Sequence, residues 1–181
     1  MPQSSSLIGL GDVNAKFNVY IANRPHFAEY LNTTTTTPLA QGEIQAIGQA
    51  CGNGWRKVFN VYAKLLFALN IEKRVPLNGV QSWQVYRDKY LLQKGSHTRL
   101  LFSPPNLNQQ GIDNNISANS VHIIMGKTYA KSLDISASLN WLDTEFAIDQ
   151  EHNLIVCPYF DYRQLSNIKI VRLVELIKQL S

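Results

Sequence analysis

The segment from Asn153 to Ser181 constrains this chain more than any other. Leu154 to Cys157 is a short apolar run, rich in β-branched residues and closed by Pro158, which predicts a buried strand. Ile170, Val171, Leu173, Val174, Leu176, Ile177 and Leu180 then recur at helical spacing and predict an amphipathic helix. Between them lies a polar and aromatic turn carrying Tyr159, Asp161, Tyr162 and Arg163. Strand, turn and helix in that order are half of a βαβ unit. In open α/β sheets ligands bind outside the carboxyl ends of the strands, so a site is expected at this turn.

Three other apolar runs end in the same abrupt way. Phe17 to Ile21 stops at Asn23-Arg24-Pro25, Thr98 to Ser103 at Pro104-Pro105, and Val121 to Met125 at Gly126. Helices are predicted from Glu43 to Cys51, stopped by Gly52-Asn53-Gly54, and from Trp55 onward, where Val58, Phe59, Tyr62, Leu65, Leu66 and Leu69 keep helical spacing. That aromatic stripe reads as core, with Arg56, Lys57 and Lys64 facing outward. Ser82 can cap a further helix that carries Trp83, Tyr86, Tyr90 and Leu91 and ends near Gly95. A short helix is expected around Tyr129, Ala130 and Leu133, another helical turn within Asp134 to Leu142, and a hairpin joining Phe146–Ile148 to Leu154–Cys157. Thr33 to Thr37 reads as a low-complexity loop with nothing to pack, Asn106 to Ser120 as a surface loop, and residues 1–14 as a flexible start. The expected fold is one α/β domain over residues 1–181, three-layered α/β/α around a mainly parallel four-stranded central sheet.

Composition narrows the function classes. With 45% hydrophobic and 17% charged residues among 181, the chain can bury a sizeable core and disorder is disfavoured. No apolar run approaches the roughly 18 residues of a membrane span, and the first residues lack the basic flank of a secretory leader. Cys51 and Cys157 are too few for a disulfide framework and read as reduced thiols, which fits a cytoplasmic setting. The net charge is +4 with a pI near 9.1, unevenly spread. Arg56, Lys57, Lys64, Lys73, Arg74, Arg87, Lys89, Lys94 and Arg99 face only Glu72 and Asp88 in that stretch. Such an excess suits an anionic partner, nucleic acid included; the plainer account is a solvated helix surface.

Several familiar chemistries are disfavoured residue by residue. Gly126-Lys127-Thr128 follows a strand, but a phosphate-wrapping loop needs a glycine where Val121 stands. Cys157 lies inside an apolar run, where a thiol is inert, so a pairing with His152 as catalytic base is disfavoured. His26, His97, His122 and His152 show no ligand spacing, and neither metal nor cofactor is expected. What remains is the set of strand ends. If the four strands are parallel, their exits converge on one rim. The rim would present Phe27, Tyr159, Phe160 and Tyr162 for stacking, Asn23, Asn106 and Asp161 for hydrogen bonds, and Arg24, Lys127 and Arg163 for anions. Pro25 and Pro105 would shape it. That mixture suits a nucleobase or nucleotide.

The order of these segments resembles the uracil-DNA glycosylase superfamily from about Phe17 to Leu180. VYIANRPHF looks like the family's first strand and proline loop, with Pro25 in the matching place. WRKVFNVYAKLLFALNI looks like the helix that follows, and RLLFSPPN like the later strand and proline turn. VHIIMGKTYAKSL is similar to the strand that ends in leucine-glycine, with Met125 for the leucine. The family's His-Pro-Ser motif would fall on Tyr159-Phe160-Asp161. The resemblance implies a glycosylase-like scaffold in which Asn23 and Asp161 would orient water. It also implies that the last loop would press on nucleic acid.

Three readings follow. One is a binder of nucleic acid, a nucleobase or a nucleotide without catalysis, using the basic stretch and Arg163. The second is an active DNA glycosylase or nucleoside hydrolase. The third is a structural or protein-interaction domain in which Asp161 and Arg163 merely pair.

Overall fold

The computed structural model describes residues 7–70, 79–106 and 119–180. In chain order the elements are β1 (Gly9–Gly11), β2 (Phe17–Tyr20), α1 (Ala28–Leu31), β3 (Thr36–Thr37), α2 (Glu43–Cys51), α3 (Asn53–Asn70), α4 (Trp83–Lys89) and β4 (Thr98–Leu101). There follow β5 (Val121–Met125), α5 (Lys127–Lys131), a 3-10 turn (Ser136–Ser138), β6 (Asn140–Trp141), β7 (Ala147–Asp149), β8 (Leu154–Cys157) and α6 (Asn167–Gln179).

Among the described residues all strands join one eight-stranded mixed sheet in the order β3-β1-β4-β2-β5-β8-β7-β6. The four anticipated strands lie side by side at its centre and run parallel, with Tyr20 paired to both Leu101 and Ile124, and Met125 to Cys157. The expectation of a four-stranded, mainly parallel sheet is corrected, because four further strands extend it and make it mixed. β1 runs antiparallel to β4, and β7 runs antiparallel to both β6 and β8. β7 and β8 form the hairpin expected from Phe146–Ile148, whereas β1, β3 and β6 are two or three residues long, too short to show an alternating pattern.

β1 also corrects the flexible start expected through residue 14. Its sequence is Gly-Leu-Gly, which reads as a turn, yet all three residues are buried. A Cβ on Gly9 would lie 2.2 Å from the Leu100 carbonyl oxygen, so glycine is what lets the two backbones meet. β1 then offers an edge to Thr36–Thr37, so the threonine loop does pair, and Thr36 Oγ1 donates to the Leu7 carbonyl at 2.9 Å. The helical turn expected within Asp134–Leu142 is a 3-10 turn that gives way to β6. The Ser-rich residues 1–6, Glu72, Lys73, Arg74 and most of the loop from Asn106 to Ser120 lie outside the described residues.

Alternation along the central strands sends side chains to both faces. Val19, Leu100, Ile123, Ile155 and Cys157 pack with the apolar sides of α2, α3, α4 and α6 in one large core. Tyr20, Leu101, Ile124 and Val156 point the other way, against Ala130 of α5, Ile135 and the β6 strand. The periodic stripe of α3 is buried as anticipated, from Trp55 through Leu69. Tyr62 Oη donates to the Arg99 carbonyl at 2.8 Å, which fastens α3 to β4. Ser82 caps α4 by accepting from the Val85 amide at 3.2 Å.

Candidate functional site

Because β2, β5 and β8 are parallel and in register, their carboxyl ends open on the same edge of the sheet. A cleft of about 850 Å³ lies there, lined by Ala22 after β2, the start of α5 after β5, and Pro158, Tyr159, Arg163 and Gln164 after β8. That volume falls within the roughly 300–1,000 Å³ typical of small-molecule sites. Three cations, Lys127, Arg163 and Lys169, reach it against one carboxylate, Glu145. Lys169 pairs with Glu145 at 2.7 Å. Lys127 is exposed and forms no ion pair among the described residues. Tyr129 and Tyr159, both half-buried, supply aromatic walls.

Gly126 makes the strand-to-helix exit possible. Its φ of +99° lies where side chains are disfavoured, and its amide donates to the Cys157 carbonyl at 2.7 Å. That amide is thus committed to the sheet edge, unlike the free amides of a phosphate-wrapping loop.

Asp161 sits behind the cleft and holds one of its cations. Its carboxylate accepts from the Arg163 amide at 2.9 Å, from the Arg163 guanidinium, and from Lys57 Nζ at 3.4 Å. The Arg163 backbone and side chain, followed by Lys57, hold its pKa down to about 2. A carboxylate so stabilised is a weak base at neutral pH, and its oxygens are already occupied. Lys57 and Arg163 also stand over the Tyr162 ring, at 5.3 and 5.9 Å from its centroid. Asn23 reaches the site from β2, where its Oδ1 accepts from Tyr159 Oη at 3.3 Å. Burial raises the Tyr159 phenol above its ordinary range, so it remains a donor.

Of the expected rim, Lys127, Tyr159 and Arg163 line the cleft, while Asn23, Asp161 and Tyr162 adjoin it through the contacts above. The remaining residues do not line it. Arg24 turns back to donate to the carbonyls of Leu31 and Thr33, both at 3.0 Å, and its guanidinium covers the Phe102 ring. Pro25 and Pro105 are buried, and Asn106 is exposed away from the lining. Phe27 is exposed and contacts Tyr30. Phe160 is fully buried with its ring 5.8 Å from that of Tyr62, which takes it out of any stacking role. Arg99 is also inside, with its Nε 2.9 Å from Asn18 Oδ1, so the basic stretch does not reach the surface as one band.

Sequence reasoning missed Glu145, Gln164, Lys169 and Tyr129. Lys169 in the first turn of α6 was the legible one, since that turn directly follows the loaded loop. Glu145 lies in a tight connection before β7, and the pairing of β7 with β8 sets it beside the cleft, where it meets Lys169. Cys157 is buried and its thiol pKa is pushed up by burial, while His152 pairs with Asp149 at 2.7 Å, so the two do not form a catalytic couple. Among the described residues no His, Cys, Asp or Glu cluster could hold a metal, and no helix is long and apolar enough to cross a membrane.

The chain belongs to a family of unknown function, DUF6942, which it matches over residues 8–178. No curated protein matches it. No solved structure matches it.

Proposed function

We propose that this family member binds a nucleotide, or a phosphorylated ligand of that size, in the cleft at the carboxyl ends of β2, β5 and β8. One observation carries the reading: three cations against one carboxylate line an 850 Å³ cleft at the edge where parallel α/β sheets bind ligands. Lys127 and Arg163 meet the phosphate, with Arg163 presented by Asp161, and Tyr159 offers its face to the base. Binding without bond cleavage is favoured over glycosylase chemistry. Asp161 is a weak base, and Asn23 carries no titratable proton to move.

Titration calorimetry with nucleoside monophosphates, at low and at physiological salt, tests this. Expected is binding that weakens with salt and falls at least about tenfold in Lys127→Gln and in Arg163→Gln, since charge-assisted hydrogen bonds contribute roughly 1.5–3 kcal/mol each. Indifference to both substitutions, or no binding at millimolar ligand, would overturn it.

A further inference from the structure

A second, smaller hollow of about 250 Å³ lies among α2, α3 and α4, and its chemistry differs from that of the sheet-edge cleft. Two guanidiniums, Arg56 and Arg87, meet there with the amide side chains of Gln45, Gln49 and Asn60, against the single carboxylate of Asp88. α3 therefore sends consecutive cations to opposite places, Lys57 to Asp161 and Arg56 to this hollow.

Both guanidiniums are held in place. Arg56 lies across α2 at Gly48, where an added Cβ would come within 2.7 Å of Arg56 Cγ, and its Nη1 donates to Asn53 Oδ1 at 3.1 Å. The absent side chain at Gly48 is what makes room for the arginine stem. Arg87 donates to Asn60 Oδ1 at 2.7 Å and to both oxygens of Asp88, at 2.8 and 3.1 Å. Its guanidinium also faces the Trp83 ring, 5.5 Å from the centroid, and Lys64 approaches the same ring at 5.1 Å.

We infer that this hollow is a phosphomonoester site for a small metabolite, with the phosphate seated between Arg56 and Arg87. The N–H groups that Arg56 and Arg87 do not spend on Asn53, Asn60 and Asp88, with the amide side chains, suit the three terminal oxygens of a phosphomonoester better than the two of a carboxylate. The volume is below the roughly 300 Å³ of drug-sized sites, which limits the ligand to the phosphate and a short attached group. Asp88 competes with the ligand for Arg87. The site does not depend on the proposed nucleotide cleft.

The test uses the full chain carrying Lys127→Gln and Arg163→Gln, so that a response reports the hollow alone. Methyl phosphate, methyl sulfate and acetate are titrated at low salt and followed by amide chemical shifts. Expected are shifts at Gln49, Arg56, Asn60 and Arg87 for methyl phosphate, with affinity at least about tenfold above acetate. Arg56→Gln and Arg87→Gln should each abolish saturation, Arg56→Lys should restore part of it, and Asp88→Asn should tighten binding. Gly48→Ala is the sharper variant: it keeps every charge and improves helix propensity, yet should weaken binding by displacing Arg56. Equal affinity for acetate, unchanged binding in Gly48→Ala, or no tightening in Asp88→Asn would overturn the assignment. Absence of nucleotide binding in the unsubstituted chain, with methyl phosphate binding intact in the double variant, would sink only the nucleotide reading.

Discussion

Tyr20 Oη and His122 Nδ1 lie 2.8 Å apart on the buried face of adjacent strands, where no bulk water reaches either group. Asn18, Arg99, Asp149 and His152 complete the polar surroundings. Burial, then the Arg99 charge, then His152 push the His122 pKa down to about 4.

His122 therefore makes the fold acid-sensitive. In the unfolded chain a histidine takes its proton near pH 6.5, roughly its ordinary value, while the native one stays neutral until about pH 4. Its contribution is fully present above the unfolded value and is lost as pH falls from about 6.5 to about 4, for a total of about 3 kcal/mol. Urea unfolding of the native chain and of His122→Asn across that window should show the difference between them shrinking on acidification. A constant difference would refute the assignment.

Asp161 titrates lower, and its effect has a different window. Its pKa is depressed to about 2, so its contribution is present above the ordinary carboxylate range and is lost only as pH falls through that range toward 2. Asp161→Asn should lower the Tm by a few degrees at pH 7. The gap should stay flat down to about pH 5 and narrow below it, as differential scanning calorimetry would show.

Gly126→Ala isolates backbone strain. Nothing lies within 4 Å of an added Cβ, so no clash contributes, but φ is +99°. A loss of about 1–2 kcal/mol in chemical denaturation is expected, from the cost of that conformation for a residue with a Cβ. A loss below about 0.5 kcal/mol would mean the exit from β5 can relax.

Gly11→Ala adds a clash to the strain. Its φ is +129°, and an added Cβ would meet the Thr98 carbonyl oxygen at 2.3 Å and Arg99 Cα at 2.7 Å, both of them backbone. Overpacking costs about 1–3 kcal/mol, and strain adds to it, so this variant should be less stable than Gly126→Ala. Hydrogen exchange should show the loss first in β1 and β3, the pair that depends on this approach.

The two cysteines should separate cleanly in alkylation. Cys157 is fully buried and its thiol is pushed up strongly by burial, whereas Cys51 is half-buried and raised less. Iodoacetamide at pH 8 should label Cys51 in the native protein and Cys157 only after unfolding. Equal rates would contradict the packing of β8.

Legibility followed the range of the interactions. α3, α4, α6 and the four central strands carry their own period or cap, so Trp55 to Leu69, Ser82 and Leu154 to Cys157 could be placed from neighbours in sequence. β1 could not, because Gly-Leu-Gly has no strand period and gains its role only against Leu100 and Arg99. Arg24, Pro25, Phe27, Pro105, Asn106 and Phe160 were expected at the surface site by their chemistry and their distance from a strand end, and Arg99 in a basic stretch for an anionic partner. The structure turns each elsewhere, because side-chain direction alternates by residue and depends on which neighbour offers carbonyls or a ring. The glycosylase resemblance rested on the same segment order and remains an expectation about scaffold.

By itself the chain's pattern of apolar runs and stops determined that four strands would end in chemically loaded turns, since burial periodicity is local. Only the tertiary structure decided which turns share a cleft. Register between β2, β5 and β8 aligns Lys127, Tyr159 and Arg163, and the Asp161 carboxylate then selects which cation is held. The β2–β5 pairing and the Lys57–Asp161 contact each span more than a hundred residues, and no local period encodes them.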